Sequence, residues 1–468
     1  MRALRVSAAG AATSVALLLL ALPATLPAQA APHSTATPPR AERPSAAEWP
    51  AQGGRPREAA PQGRQSLPLR PLAPVTGAAA GGEATPAGAQ GLPATETARF
   101  SLLGVVWEDA HARLTGRIQV RTRSADTGRW SPWTTLEPGA DHSPDPGSAE
   151  SGTGRLRGGT APLWVGPSDA VQVRAVPGTG QDAPEAAVPA TAAAPAAAPA
   201  AAPDAPVPPA TEPDPAAGLP RGLRLELVAA EPGPRQATAS GPELAAAGAA
   251  REPGAVPQDA APPARRLPYE AAQPAIVSRA GWGADESLRE EGFVYTGAVR
   301  TVFVHHTAGT NAYSCAEAPA LIRAIYRYHV ESQGWRDLGY NFLVDRCGTI
   351  YEGRAGGVDQ PVQGAHTLGF NQNSAGVAVL GTYMDTEPGP AVTAALARLS
   401  AWKLGLSDID PRGEATVVSA GGTYPAGTEV RLANVSGHRD GFNTDCPGDR
   451  LYARLPEVRE QAAAIQGR

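Results

Sequence analysis

The stretch Val299-Arg300-Thr301-Val302-Phe303-Val304-His305-His306-Thr307 is an apolar run that ends in two adjacent histidines. Branched and aromatic residues in a short run favour a β-strand over 299–304. Side chains alternate across a strand, so the two histidines are expected to face opposite sides of the sheet. An imidazole at the end of a strand is a candidate zinc ligand, although a lone histidine there is also commonly a hydrogen-bonded structural residue.

Helix and strand patterns alternate on both sides of this stretch. Apolar residues recur at helical spacing in some segments, and short apolar runs separate them. Helices are predicted over 316–332, 391–404 and 451–466, and further strands over 341–344, 348–352 and 375–380. Strands interleaved with helices around one sheet predict an α/β domain, which we place at 274–466.

A different pattern precedes this domain. Short strand-like runs occupy 100–107, 116–123, 163–165, 171–176 and 223–228. They predict a small all-β domain over 96–230, sandwich-like, with a Pro/Ala tract at 178–218 looped out between neighbouring strands. Its tryptophans either fill the core or form a stacking platform for sugars that attaches the chain to a cell wall; these are Trp107, Trp130, Trp133 and Trp164.

The remaining segments are predicted to lie outside the folded domains. Residues 1–30 carry two arginines, an apolar core of about a dozen residues and the cleavage signal Ala28-Gln29-Ala30, the pattern of a signal peptide. The apolar core is too short to span a membrane. We therefore expect a secreted protein, extracellular or associated with the cell wall, in a compartment that permits disulfides. Residues 31–95 are predicted to be disordered, and 231–273 to be a linker.

Composition and charge exclude other classes. The chain has 468 residues with 49 Pro, 52 Gly and only 5% aromatic residues, which is unlike one large compact domain. The formal net charge is −5 and there is no basic cluster. Nucleic acid is therefore not an expected partner. We expect a monomer.

The three cysteines suggest two different roles. Cys315 and Cys347 flank the predicted helix over 316–332, and we predict that they form a disulfide, which would stabilise the fold by about 3 kcal/mol. Cys446 follows His438 by eight positions and is left unpaired. A free thiol in an exported protein needs a reason, and zinc ligation is one. The spacing from His438 to Cys446 is not a standard short ligand spacing, so alone it is weak evidence.

Six motifs in sequence order resemble those of the peptidoglycan recognition proteins. They are Ile276-Val277-Ser278-Arg279-Ala280-Gly281-Trp282-Gly283, Val304-His305-His306-Thr307-Ala308-Gly309, Gly334-Trp335-Arg336-Asp337-Leu338-Gly339-Tyr340-Asn341-Phe342, Tyr351-Glu352-Gly353-Arg354, Gly364-Ala365-His366, and Ser436-Gly437-His438-Arg439 running on to Cys446-Pro447-Gly448. The family belongs to the superfamily of zinc-dependent N-acetylmuramoyl-L-alanine amidases, which includes the lysozyme-type phage amidases. The resemblance covers roughly residues 274–466 and implies a central mixed β-sheet flanked by helices.

The resemblance also implies a zinc site. His305, His438 and Cys446 match the metal ligands, and in non-catalytic members of the family one or more of these is replaced. The alternative within the histidine pair is that His306 is the ligand. Tyr340 matches the catalytic tyrosine, or else it is a core aromatic. Thr444 stands where phage enzymes have a catalytic lysine and amidases among the recognition proteins commonly have threonine.

The implied reaction is hydrolysis of the amide between N-acetylmuramic acid and L-alanine in peptidoglycan. Two alternatives stay open, namely a non-catalytic peptidoglycan-binding protein and a zinc endopeptidase that cuts the stem peptide. Candidate substrate contacts are His306, Arg354, His366 and Asn371; His366 has a structural alternative. His329, on the apolar face of its helix, is expected in the core.

Overall fold

This computed structural model describes residues 63–73, 86–139, 141–178, 218–230 and 271–468, all within one compact unit, Glu58–Arg468. The predicted signal peptide, most of the Pro/Ala tract and most of the 231–273 linker lie outside the described residues. None of the helices within the described ranges combines the length and apolar character required to cross a membrane.

The C-terminal domain is built on a six-stranded mixed sheet, in agreement with the predicted α/β class. Its strands in chain order are β9 (Ile276–Val277), β10 (Thr301–His306), β11 (Phe342–Val344), β12 (Ile350–Glu352), β13 (Ser374–Val379) and β16 (Val435–Gly437). The spatial order is β16-β10-β13-β11-β12-β9, and only the β11–β12 pair is antiparallel. A separate hairpin pairs β14 (Glu414–Val418) with β15 (Glu429–Ala433). The strand of the histidine pair is thus an interior strand of the sheet.

Helices cover both faces of this sheet. They are α1 (Arg279–Trp282), α2 (Ala318–Arg327), α3 (Pro390–Gly405), α4 (Asp449–Tyr452) and α5 (Leu455–Gln466), and a π-helical turn, Tyr328–Ser332, continues α2. Val302 and Val304 of β10 belong to the buried cluster that includes α3 and α5. His305 pairs with Ala378, which packs in the cluster of α2 on the opposite face. Alternation along β10 therefore separates His305 from His306, as the sequence predicts.

The helix predicted over 451–466 is two helices. Pro456 lies in the first turn of α5, where its missing N–H is tolerated. In the middle of a continuous helix its ring would clash with the carbonyl of the residue four positions before it. The chain therefore ends α4 at Tyr452 and begins again at Leu455.

The N-terminal region is all-β, as predicted. Its strands are β1 (Arg64–Pro68), β2 (Arg70–Pro71), β3 (Gln90–Trp107), β4 (Gly116–Ser124), β5 (Thr134–Leu136), β6 (Gly158–Gly159), β7 (Leu163–Pro177) and β8 (Arg224–Val228). They form one eight-stranded sheet with the main order β1-β8-β3-β7-β4-β5. The alternation predicted for β4 is present, with Ile118, Val120 and Thr122 buried.

Two differences from the sequence predictions concern these strands. Arg64–Pro68 pairs with β8, and Gln90 already begins β3, so disorder over 31–95 is wrong at these residues. Residues 64–71 have only a weak strand pattern in sequence. They form strands because β1 pairs with β8 and β2 pairs with β3, both distant in the chain. The runs 163–165 and 171–176 are one continuous strand, β7, because register shifts along the β3–β7 pair absorb the intervening Gly and Pro residues.

The two domains share a hydrophobic core. Leu102, Val106, Trp164 and Val228 of the all-β domain pack with the residues of α2. The hydroxyl of Tyr328 donates to the carbonyl of Thr160 at 3.0 Å in a buried position. The all-β domain is therefore packed tightly onto the α2 face of the C-terminal domain.

The tryptophans and the paired cysteines have definite positions. Trp107 and Trp164 are core residues, whereas Trp130 and Trp133 are half-buried with the guanidinium of Arg121 over both rings. The predicted stacking platform for sugars is thus restricted to Trp130 and Trp133, and it stays a prediction. Cys315 and Cys347 form the predicted disulfide, which joins the turn before α2 to the β11–β12 turn.

Candidate metal centre

Two parallel strands bring His305 and His438 together. Val304 of β10 pairs with Gly437 of β16 in parallel register. His305 is the next residue of β10, and His438 follows directly after the last residue of β16. Since the carboxyl ends of neighbouring parallel strands meet at one edge of the sheet, the two rings come within 4.4 Å, centroid to centroid.

Cys446 reaches the same point through a closed turn. The N–H of Arg439 donates to the carbonyl of Cys446 at 3.0 Å, which folds the segment after β16 back on itself. The Cys446 sulfur then lies 3.8 Å from Nδ1 of His305. It also accepts the backbone N–H of His306 at 3.4 Å. The three ligands that the resemblance implies are therefore adjacent in space.

A third histidine, which the sequence analysis missed, completes this cluster. His142 lies between β5 and β6 of the all-β domain and is buried. One ligand atom from each of His142, His305, His438 and Cys446 lies within 4.8 Å of all the others. A metal centre that includes a side chain from the other domain could not be inferred from spacing. The one available signal is the adjacent pair Asp141-His142 in a turn-rich stretch.

Unpartnered nitrogens show that this donor set suits a metal ion. Among the described residues, Nε2 of His142 and both ring nitrogens of His438 are buried without a hydrogen-bond partner. Nδ1 of His142 lies 3.0 Å from Oδ1 of Asp141. A carboxylate in that position holds the proton on Nδ1 and leaves the Nε2 lone pair free for a metal. Imidazole nitrogens and a thiolate sulfur are donor types that zinc binds, and four of them suit its tetrahedral coordination.

The protonation states fit the same interpretation. Burial, reinforced by the neighbouring histidines, holds the pKa of His305 well below its ordinary value. Burial and His142 lower the pKa of His438 to about 3. Both imidazoles are thus neutral at physiological pH, the form that binds metal. Burial raises the pKa of the Cys446 thiol well above its usual range, and a bound cation would stabilise the thiolate there.

Thr367, also missed in the sequence, supports His305 from behind. Its hydroxyl oxygen lies 3.5 Å from Nε2 of His305 and 3.0 Å from Nδ1 of His366. The hydroxyl can accept from the first ring and donate to the second. Nδ1 of His305 then faces the cluster as the ligand atom.

Tyr340 and Thr444 lie beside the cluster. The Tyr340 ring is 5.4 Å from that of His305 and 5.7 Å from that of His142, between centroids. Burial raises the pKa of Tyr340 well above its ordinary value, so its hydroxyl stays protonated and able to donate. Thr444 is half-buried and hydrogen-bonds to Asp141. His142 thus lies next to Tyr340 and Asp141 next to Thr444, the two residues that the resemblance assigns to catalysis.

The segment that carries His142 covers the predicted substrate residues as well. We call residues 137–157 the covering loop; Ala140 within it lies outside the described residues. Three acidic side chains of the loop each contact one of the residues predicted to bind substrate. Glu137 is 3.4 Å from Nε2 of His306, Asp145 accepts from Asn371 at 2.7 Å, and Glu150 pairs with Arg354 at 2.9 and 3.1 Å.

Two other histidines are placed in the interior. His366 is fully buried beneath His305, with ring centroids 5.3 Å apart, and its Nε2 is 3.5 Å from the Ser374 hydroxyl. The structure does not bring it to an accessible surface, because Gly376 of β13 lets the ring lie directly on the sheet. His329 is buried against Trp335, as expected for a core residue.

Comparison with known proteins decides the family. A family model described as N-acetylmuramoyl-L-alanine amidase matches residues 295–449. Peptidoglycan-recognition protein SC2 of Drosophila simulans is 32% identical over 180 residues, covering 38% of this chain and 84% of that protein. The chain belongs to the peptidoglycan recognition protein and N-acetylmuramoyl-L-alanine amidase family. Human N-acetylmuramoyl-L-alanine amidase is 36% identical over 200 residues, 42% of this chain and 30% of that enzyme.

Two further comparisons concern the domains. The Rv3811 N-terminal galactose-binding domain-like family model matches residues 39–207, which overlaps the all-β domain and begins upstream of it. Among solved structures, Drosophila PGRP-LB is 27% identical, covers 39% of this chain and 92% of that protein, and has a TM-score of 0.31. By their names, relatives in the amidase family include both enzymes and recognition proteins.

Proposed function

We propose that this family member is a secreted, zinc-dependent N-acetylmuramoyl-L-alanine amidase. It hydrolyses the amide between N-acetylmuramic acid and L-alanine in peptidoglycan. The observation that carries the proposal is the convergence of His305, His438 and Cys446 on one point beside Tyr340. All three implied ligands are present, both ring nitrogens of His438 have no hydrogen-bond partner among the described residues, and Nδ1 of His305 faces the Cys446 sulfur.

Zinc would be held by His305, His438 and Cys446. When bound there, it supplies a Lewis acid that polarises the amide carbonyl and lowers the pKa of water to about 7. Thr367 fixes the orientation of His305 through Nε2. The His306 N–H donates to the Cys446 sulfur and offsets part of the thiolate charge.

Tyr340 would act on the substrate itself. Its hydroxyl stays neutral because burial raises its pKa. It can therefore donate a hydrogen bond to the carbonyl oxygen of the scissile amide as negative charge develops there. A donor fixed in a water-excluded site stabilises such charge more than water does. Arg354 and Asn371, once free of the covering loop, would bind polar groups of the stem peptide.

The identity of the cleaved bond tests the proposal. Purified peptidoglycan is digested with the zinc-loaded full chain, as wild type and as His142→Ala, and the products are analysed by mass spectrometry. We expect stem peptides that begin with free L-alanine, and no such product from Cys446→Ala. A different new amino terminus would indicate an endopeptidase. Binding without cleavage by either zinc-loaded protein would indicate a recognition protein, and either result would refute the amidase.

A further inference from the structure

We propose that His142 closes the zinc site as a fourth protein ligand and that the covering loop fills the substrate groove, so that the chain in this conformation is a latent amidase. The inference rests on the proposed function, whose site it regulates. It makes the all-β domain an intramolecular inhibitor.

The donor count is the first reason. Catalytic zinc sites keep three protein ligands and one open position, whereas closed sites have four. Here four ligand atoms surround one point. Nε2 of His142 has no hydrogen-bond partner among the described residues, and the Asp141 carboxylate orients its ring from the other side. Asp141 also lies 3.8 Å from Nδ1 of His438, so its charge adds to that of the Cys446 thiolate in balancing a divalent cation.

The second reason is the chemistry of the loop contacts. Glu137, Asp145 and Glu150 each meet a different predicted substrate residue of the C-terminal domain. The Glu150–Arg354 pair is buried on both sides and bidentate. A stem peptide offers carboxylates and carbonyl oxygens to such donors, and the loop offers the same groups in their place.

The third reason is how the loop is held. It runs between β5 and β6, and both strands are paired within the all-β sheet. Two backbone N–H groups of the C-terminal domain fix its path across the groove: Leu368 N–H donates to the Asp141 carbonyl at 2.9 Å, and Gly369 N–H donates to the side-chain Oδ1 of Asp145 at 2.8 Å. A segment tethered this way competes with substrate at a high effective concentration.

Metal binding gives a test that does not depend on catalysis. His142→Ala is compared with wild type in the full chain, and His111→Ala, which removes an exposed histidine of the same domain, is the control. We expect zinc affinity to fall at least about tenfold in His142→Ala only. In cobalt-loaded protein, azide should change the visible absorption of His142→Ala and leave wild type unchanged. Equal zinc affinity and an equal azide response in wild type and His142→Ala would overturn the proposal.

Activity and loop release give the second test. If fewer than one chain in ten has an open site, opening it raises the rate of stem-peptide release at least about tenfold. Glu150→Gln should produce the same gain without altering a metal ligand, and it covers the case in which His142→Ala fails to fold. Wild type as fast as both variants would overturn the latent state. No release from any of them, with the azide response as expected, would refute the amidase and leave the closed zinc site standing.

Discussion

The ring of His142 meets the ring of His438 edge-on, with centroids 4.5 Å apart. The first residue belongs to a loop of the all-β domain and the second to the end of β16 in the C-terminal domain. The candidate metal centre is therefore assembled from side chains of both domains.

Tyr340→Phe should impair hydrolysis and leave zinc binding intact. The substitution removes one hydrogen-bond donor to the carbonyl oxygen and no metal ligand. Loss of one such donor typically lowers kcat about 100-fold or more. The rate is measured in the His142→Ala background, where the site is open, and zinc affinity is measured beside it. A drop in zinc affinity with unchanged kcat would contradict the role given to Tyr340.

Thr367→Val should weaken zinc binding by about tenfold, because the hydroxyl that orients His305 is lost. Thr301→Val is the matched control. Thr301 is a buried threonine of β10 whose hydroxyl has no hydrogen-bond partner among the described residues. Competition with a metal chelator measures both variants, and equal affinities would show that Thr367 does not support the site.

Asp145→Asn should stabilise the chain at neutral pH. Burial raises the pKa of Asp145 to about 6, against about 3.9 for an exposed aspartate. Between these values the folded chain binds the proton more tightly than the unfolded chain, so this group's contribution to stability rises as pH falls from about 6 to about 4. Asparagine mimics the protonated form at every pH.

The gain in the free energy of unfolding from Asp145→Asn is therefore on the order of 3 kcal/mol at pH 7.5 and close to zero at pH 4. Urea unfolding of both proteins at both pH values measures it. The comparison between the two proteins cancels titration of the histidines. A gain that does not change with pH would show that Asp145 is not buried against the C-terminal domain as described.

Gly104→Ala should loosen the contact between the domains. A Cβ at Gly104 would collide with the ring of Tyr328, which is held by its bond to Thr160. Overpacking of this kind costs about 1–3 kcal/mol. Gly152→Ala, where a Cβ meets open space, is the control. Thermal unfolding should show a lower Tm for Gly104→Ala alone, and equal melting would contradict the shared core.

Sequence patterns were sufficient where the structure is local. The alternation along β10 placed His305 and His306 on opposite faces, and the apolar spacing of 316–332 located α2. The family motifs implied that Tyr340, His305, His438 and Cys446 belong to one site, and these residues lie close together in the structure. Each of these depends on periodicity or on an ordered set of motifs within a single domain.

The covering loop had no such signal. His142 reaches the candidate metal centre only because the all-β domain packs on α2 through Trp164 and its neighbours. Thr367 matters because the segment before β13, held by the bond from the Thr367 N–H to Asn371, places its hydroxyl next to His305. Both are long-range consequences of packing, and neither a turn-rich loop nor a lone threonine shows them in sequence.

The most direct test is X-ray diffraction at the zinc absorption edge from crystals of the zinc-loaded full chain. We predict one anomalous peak at the cluster, which marks a zinc ion bound to nitrogens of His142, His305 and His438 at about 2.0–2.1 Å and to the sulfur of Cys446 at about 2.3 Å. A zinc ion with three of these ligands, water in the fourth position and His142 turned away would contradict the closed site. Zinc bound elsewhere, with this cluster empty, would contradict the metal centre itself.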